Sequence, residues 1–195
     1  MKKIKLKIKS EIKSDFVKLS SLFPKDEFII GDQVFIVLEQ TSNGTRVISK
    51  KFVYRQTGFG DSSNWRASPI RERLNNEYFR KIADIIGKEN ILTMNRDLTS
   101  LDGLDDYGTC IDKISLLTVA EYVKYHKILG LKSNYNRCWW LITPASTPSN
   151  GYSGDVCYVN YYGVPDWDKC EGFNSVPRSL RPVLNLKSSI MVHRA

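Results

Sequence analysis

Histidine and cysteine are too few and too scattered for the common metal or nucleophile constellations. The 195-residue chain has two histidines, His126 and His193, and four cysteines, Cys110, Cys138, Cys157 and Cys170. With no C-x-x-C pair and no zinc-ligand spacing among them, a His-rich or Cys-framed metal site is not expected. G-x-S-x-G, H-E-x-x-H, a P-loop and a helix-opening G-x-G-x-x-G are also missing, and Gly58-Phe59-Gly60 is too short for a phosphate loop. The usual warrants for hydrolase, metalloprotease and nucleotide chemistry are thereby removed. Apolar runs stay below the roughly 18 residues of a membrane helix. No apolar h-region or cleavage site follows Met1-Lys2-Lys3. The expectation is a cytoplasmic, non-enzymatic protein without membrane association, cofactor or resident metal. Its cysteines should be free core thiols in a reducing compartment. Cys157 and Cys170 could be neighbours across a loop, which leaves a disulfide open in an oxidising one.

What is present is ordinary globular composition, 42% apolar and 26% charged, with an uneven charge. The net charge is +8, and six lysines against Glu11 make residues 1–13 +5 of it. Lys3, Lys5, Lys7 and Lys9 alternate with Ile4, Leu6 and Ile8, the period-2 pattern of a strand with one basic face. Lysines of this kind protect a sheet edge; the same face could attract nucleic acid or a nucleoprotein complex. The chain divides into a basic strand and connector (1–25), one domain (26–190) and a tail (191–195) expected to fray.

Residues 33–54 read as a β-hairpin, with Asn43-Gly44 as the turn. Ser68-Pro69 is an N-cap followed by Pro at the first helical position. Ile70, Leu74, Tyr78, Ile82 and Ile85-Ile86 then recur at helical spacing up to Gly87, with Asn75-Asn76 as a break point. Thr118 and Glu121 form a T-x-x-E capping box for a second helix, Val119 to Leu129. Cys138 to Ile142 is an aromatic strand, Val156–Tyr162 a second, and Arg181 to Leu186 the last. Two helices between an early hairpin and a late strand-and-loop region define an α+β domain.

Two stretches are candidate sites. Asp97, Asp102, Asp105, Asp106 and Asp112 crowd sixteen residues. They offer oxygen ligands for calcium, but without the EF-hand spacing, and Asp102-Gly103 also reads as a turn. Residues 146–175 hold four Tyr, four Ser, three Asn and four Gly, the composition of binding loops, in which rigid aromatics are set among adaptable polar groups. The ligand-contacting candidates are Tyr152, Tyr158, Asn160, Tyr161, Tyr162, Asp166, Trp167, Lys169 and Phe173. Alternation puts Val156, Tyr158 and Asn160 on one side and Cys157, Val159 and Tyr161 on the other, so only one set can serve a ligand. The competing reading is a long loop region whose aromatics cover its own core. Trp139 and Trp140 belong to the core.

Several segments carry a family resemblance. They are Ser68-Pro69-Ile70-Arg71-Glu72-Arg73-Leu74-Asn75, Asp97 through Thr109, Asp112-Lys113-Ile114-Ser115-Leu116-Leu117-Thr118, Trp139-Trp140-Leu141, Thr143-Pro144 to Tyr152, and Leu180-Arg181-Pro182-Val183-Leu184-Asn185-Leu186. In this order they resemble the DUF6273 family, of unassigned function, common in Firmicutes and in their phages and mobile elements. Ser179-Leu180 stand where that family usually has Gly-Val. The resemblance implies a C-type-lectin-like fold: two helices flanking a small, mostly antiparallel sheet, chain ends close together, and long C-terminal loops as the ligand face. It is similar also to the variable proteins of diversity-generating retroelements, which implies a binding face at residues 152–173 and a protein ligand. Formylglycine-generating enzymes share that broad fold but need a closely spaced cysteine pair, whereas twelve residues separate Cys157 from Cys170. An intracellular inhibitor of a bacterial defence system and a nucleic-acid-binding protein are the alternative functions.

Overall fold

Asn43 and Gly44 close the early hairpin because only glycine fits there. Gly44 has φ of +141°, and a Cβ on it would stand 2.6 Å from the Leu186 carbonyl oxygen. The structure, a computed structural model, describes residues 16–129, 138–170 and 178–195. In chain order it contains β1 (Phe16–Lys18), β2 (Glu27–Ile30), β3 (Gln33–Thr41), β4 (Gly44–Ser49) and β5 (Tyr54–Thr57). Helices α1 (Pro69–Arg73) and α2 (Phe79–Ile86) follow, then β6 (Ile91–Leu92), β7 (Met94–Asp97), β8 (Thr109–Asp112), β9 (Ile114–Ser115) and α3 (Val119–Leu129). The last third holds β10 (Trp139–Pro144), β11 (Asp155–Val159), β12 (Pro165–Lys169), β13 (Arg178–Leu180), β14 (Val183–Leu186) and β15 (Met191–Arg194).

The result is a mixed α+β architecture, mostly sheet. The larger sheet runs β1-β15-β2-β3-β4-β14-β6, with β9 also on β14. A second sheet runs β12-β11-β10-β13-β5, antiparallel except for β10 beside β13, and β7 pairs β8. Alternation sends successive residues of each strand into two different cores. Phe35, Val37, Val47, Leu184 and Trp140 join Leu74 and Ile82 of the first helical segment. Ile36, Leu38, Ile48, Val183 and Trp139 join Tyr122, Tyr125 and Leu129 of α3. Helices therefore lie on opposite faces of the sheets. Each fully buried side chain of this kind contributes about 1.5–3 kcal/mol.

Several boundaries differ from the sequence reading. The sheets are larger than the strands legible in the sequence suggested. The hairpin ends at Ser49, and Tyr54 already belongs to the other sheet. Asn75-Asn76 does not end the first helix. The chain passes through a π-turn at Leu74–Tyr78 and continues as α2, because the Asn75 side chain bonds out of the helix. Its Oδ1 accepts the Lys113 and Ile114 N–H groups, and its Nδ2 donates to the Arg71 and Ile114 carbonyls. The expected last strand, Arg181 to Leu186, begins only at Val183, after Pro182, as β14; β13, just before it, was not anticipated and belongs to the other sheet. Residues 191–195 are no frayed tail: Met191–Arg194 form β15 between β1 and β2. The first and last described strands are thus paired. Lys3, Lys5, Lys7 and Lys9 lie outside the described residues.

Candidate ligand-binding hairpin

Residues 155–169 form an antiparallel hairpin, not the run of loops that their composition suggested. Asp155 pairs with Lys169, Cys157 with Trp167 and Val159 with Pro165. The strand expected at Val156–Tyr162 stops at Val159, and Asn160 makes the turn. Its N–H donates to the Val164 carbonyl, and its Oδ1 accepts the Tyr162 and Val164 N–H groups at 2.9 and 3.1 Å. Gly163 supplies the left-handed residue, φ +77°. The Tyr122 hydroxyl donates to the Gly163 carbonyl at 2.6 Å and ties the turn to α3.

One face of the hairpin is clamped from within. Val156 and Tyr158 face the first core, where the buried Arg178 guanidinium sits 3.6 Å from the Tyr158 ring centroid and 4.4 Å from that of Trp140. Arg178 donates to Asp168 at 2.6 Å, and the Tyr158 hydroxyl donates to Asp166 at 3.1 Å. Burial works against charge on Asp168. The Arg178 hydrogen bond, the Lys169 N–H and both cationic charges outweigh it and hold the carboxyl below its ordinary range. On the opposite face Cys157 and Val159 are sealed in the core of α3. Val156, Cys157 and Val159 are thus buried and Tyr158 is stacked against Arg178, so neither side of β11 presents an open set, where alternation allowed at most one.

The exposed face comes from β12 and the turn instead. Trp167 is 57% exposed and Tyr162 60%, with Val164 and Lys169 also open to solvent. The Tyr161 and Tyr162 rings lie 4.0 Å apart, with Tyr161 half-buried. Tyr152 is exposed in the preceding loop, its hydroxyl donating to Asp155. Of the nine expected contact residues, Tyr152, Tyr162, Trp167 and Lys169 face solvent, and Tyr161 is half-buried against Tyr162. Tyr158, Asn160 and Asp166 build the hairpin, and Phe173 lies outside the described residues. Val164 and the Arg178 clamp were missed, since nothing in the sequence near Arg178 links it to Asp168.

The outer edge of β12 is blunted. Pro165, Trp167 and Lys169 are the residues whose backbone faces away from β11, and no described strand pairs there. Pro165 has no N–H; the Trp167 and Lys169 N–H groups are taken by the preceding carboxylates, Asp166 and Asp168, at 2.9 and 2.8 Å. This is edge protection by local chemistry, and it leaves side chains as the contacting groups. Asp166→Ala should uncover one donor, and light scattering during heating should then show earlier self-association than for the unchanged protein. An unchanged onset would contradict the assignment.

The other expected sites have structural occupations. Asp97 accepts from Thr99; Asp102 accepts from Ser100, Ser146 and Asn150; Asp106 accepts from Ser149. Hydrogen bonds from Ser100 and Ser146 hold the Asp102 carboxyl below its ordinary range. Asp112 is buried and accepts the Trp65 indole N–H and Arg71 Nε. The stretch thus reads as turns and stitching, and no group of three His, Cys, Asp or Glu side chains among the described residues is placed to share a metal. A cleft of about 450 Å³ beside α1 is lined by Arg66, Arg71 and Lys113, whose cationic groups already donate to Thr109, Ile111 and Ile91 carbonyls. Cys110, Cys138 and Cys157 are free thiols, and Cys157 and Cys170 belong to different cores. Burial, with the Asp166 charge added, pushes the Cys157 thiol up to about 12. His126 packs against the Tyr122 ring and His193 against Phe16.

No protein-family model, curated protein or solved structure matches the chain. No helix among the described residues is long and apolar enough to cross a membrane.

Proposed function

We propose that this protein is a non-enzymatic recognition module of the DUF6273 kind, with a C-type-lectin-like frame, encoded by a phage or mobile element. It holds a protein ligand on the β11–β12 hairpin. The observation that carries this reading is the pairing of a clamped inner face with an open aromatic outer one. Trp167 and Tyr162 keep more than half their surface in water, although the strand and turn that bear them are fixed by Arg178, Asp168, Asn160 and Tyr122. Aromatic anchors held rigid lose little entropy on binding and dominate protein interfaces. The blunted edge fits a partner gripped by side chains rather than by strand addition.

The test is co-purification of the tagged protein from its natural host, with the captured polypeptide identified and its affinity measured. Trp167→Ala and Tyr162→Ala should each weaken that affinity by about 30-fold, the effect of losing a hot-spot aromatic. Leu101→Ala, which truncates an exposed side chain of a different loop, should leave it unchanged, and all three variants should melt with the parent. Retained affinity in the two aromatic variants would defeat the proposal.

A further inference from the structure

The end of the larger sheet, β5 and the π-turn enclose a second cleft of about 340 Å³. That exceeds the roughly 150 Å³ that accommodates one benzene ring and falls in the range of small-molecule sites. Val53 and the rings of Tyr54 and Tyr78, all packed on the first core, supply an apolar lining, whereas the Phe52 side chain packs toward α3. Ser49 also lines it and is 2% exposed. Its N–H donates to the Pro182 carbonyl and its own carbonyl accepts from Arg181, but its hydroxyl has no partner among the described residues. A buried hydroxyl without a partner costs stability, and a ligand oxygen can relieve that cost.

The charges around the cleft choose the ligand. Asp32 is already paired with Lys81 at 3.2 Å. Glu77 is held by Arg73 at 3.1 Å and by the Tyr54 hydroxyl at 2.9 Å. The π-turn places both Glu77 and Tyr78 on the wall, and such turns recur at functional sites. Glu27 engages Lys50, whereas Lys51 has no ion pair among the described residues. Gln33 accepts the Tyr78 hydroxyl through Oε1, which turns its amide nitrogen into an available donor. The acceptors are spoken for, and the donors Lys51, Gln33 and Ser49 remain.

We infer that this cleft is a binding site for a small aromatic carboxylate. The ring packs among Val53, Tyr54 and Tyr78, and the ligand's oxygens take the donors of Lys51, Gln33 and Ser49. A cation would meet carboxylates that already have partners, and a neutral ring would gain nothing from the Lys51 ammonium.

Benzoate, benzyl alcohol and benzylammonium titrated into the ¹⁵N-labelled protein at neutral pH make the test. Benzoate should shift the amides of residues 49–54 and 77–81 saturably and bind more tightly than either competitor. Lys51→Met changes an exposed side chain and should weaken benzoate by about tenfold, the value of one charge-assisted hydrogen bond, without altering the benzyl alcohol response. Ser49→Ala removes a hydroxyl that bonds nothing among the described residues. It should melt no lower than the parent and also bind benzoate less tightly. No benzoate shift at these amides, equal binding of benzylammonium, or unchanged benzoate affinity in either variant would overturn the inference.

Discussion

Glu121→Ala should destabilise the protein by about 3–5 kcal/mol, the cost of breaking a buried ion pair and stranding its partner. A domain's whole stability is about 5–15 kcal/mol, so this one change takes a large share of it. Glu121 accepts from Arg96 and, at 2.6 Å, from Arg46, and with Thr118 it closes the capping box of α3. Arg96 is 2% exposed, and without the carboxylate its charge would be buried with, among the described residues, the Leu116 carbonyl left to accept from it. Urea unfolding followed by tryptophan fluorescence measures the loss. Arg96→Met combined with Glu121→Ala should recover part of it, since removing both charges spares the stranded one. A double variant no more stable than the single would argue that the cap, not the pair, is what matters.

The same residue predicts a pH dependence. Burial raises the Glu121 pKa, but the Arg96 hydrogen bond and charge, the Thr118 N–H and Arg46 together outweigh it and leave it below its ordinary 4.5. As pH falls past that value the unfolded chain binds the proton first. Stability contributed by this group is complete above about 4.5 and is lost as pH drops through the lower folded value. Glu121→Ala should accordingly show a shallower fall in stability on acidification than the parent.

Arg178→Met should cost about 2–4 kcal/mol, combining a desolvated cation–π contact with the loss of a partly buried ion pair. The sharper expectation is local. Arg178 ties β13 to β12 through Asp168 and is stacked over Tyr158 and Trp140, so its loss should release the hairpin that presents Trp167. Amide hydrogen exchange in β11 and β12 should accelerate more than in the larger sheet, and ligand capture should fall although no exposed residue has changed. Arg178→Lys keeps the charge for Asp168 but not the planar stack, and should be intermediate. Uniform acceleration across both sheets would mean that Arg178 supports the whole fold rather than the hairpin.

Local chemistry explains which parts were legible beforehand. Ser68 caps α1 through the Ile70 N–H, Thr118 and Glu121 cap α3, and Gly44 turns the hairpin, each within a few residues of the group it serves. The exposed Tyr162 and Trp167 were candidates from composition alone. β12 was not anticipated, because Pro165, Asp166 and Asp168 have poor strand propensity. On an edge that propensity matters less, and the same residues blunt the edge. The segments that carried the family resemblance hold frame contacts here: Asn75 bridges to Lys113 and Ile114, and Arg71 and Trp65 meet on Asp112.

By itself the sequence determined the α+β character, the two capped helices, the early turn and the aromatic richness of residues 152–167. All of these follow from periodicity and short-range hydrogen bonding. Only the tertiary structure decided which aromatics face water and which Arg meets which carboxylate. Alternation assigns a side chain to a face but does not say what covers that face. Arg96 with Glu121 and Arg178 with Asp168 are joined across strands and helices, where sequence separation carries no information about distance.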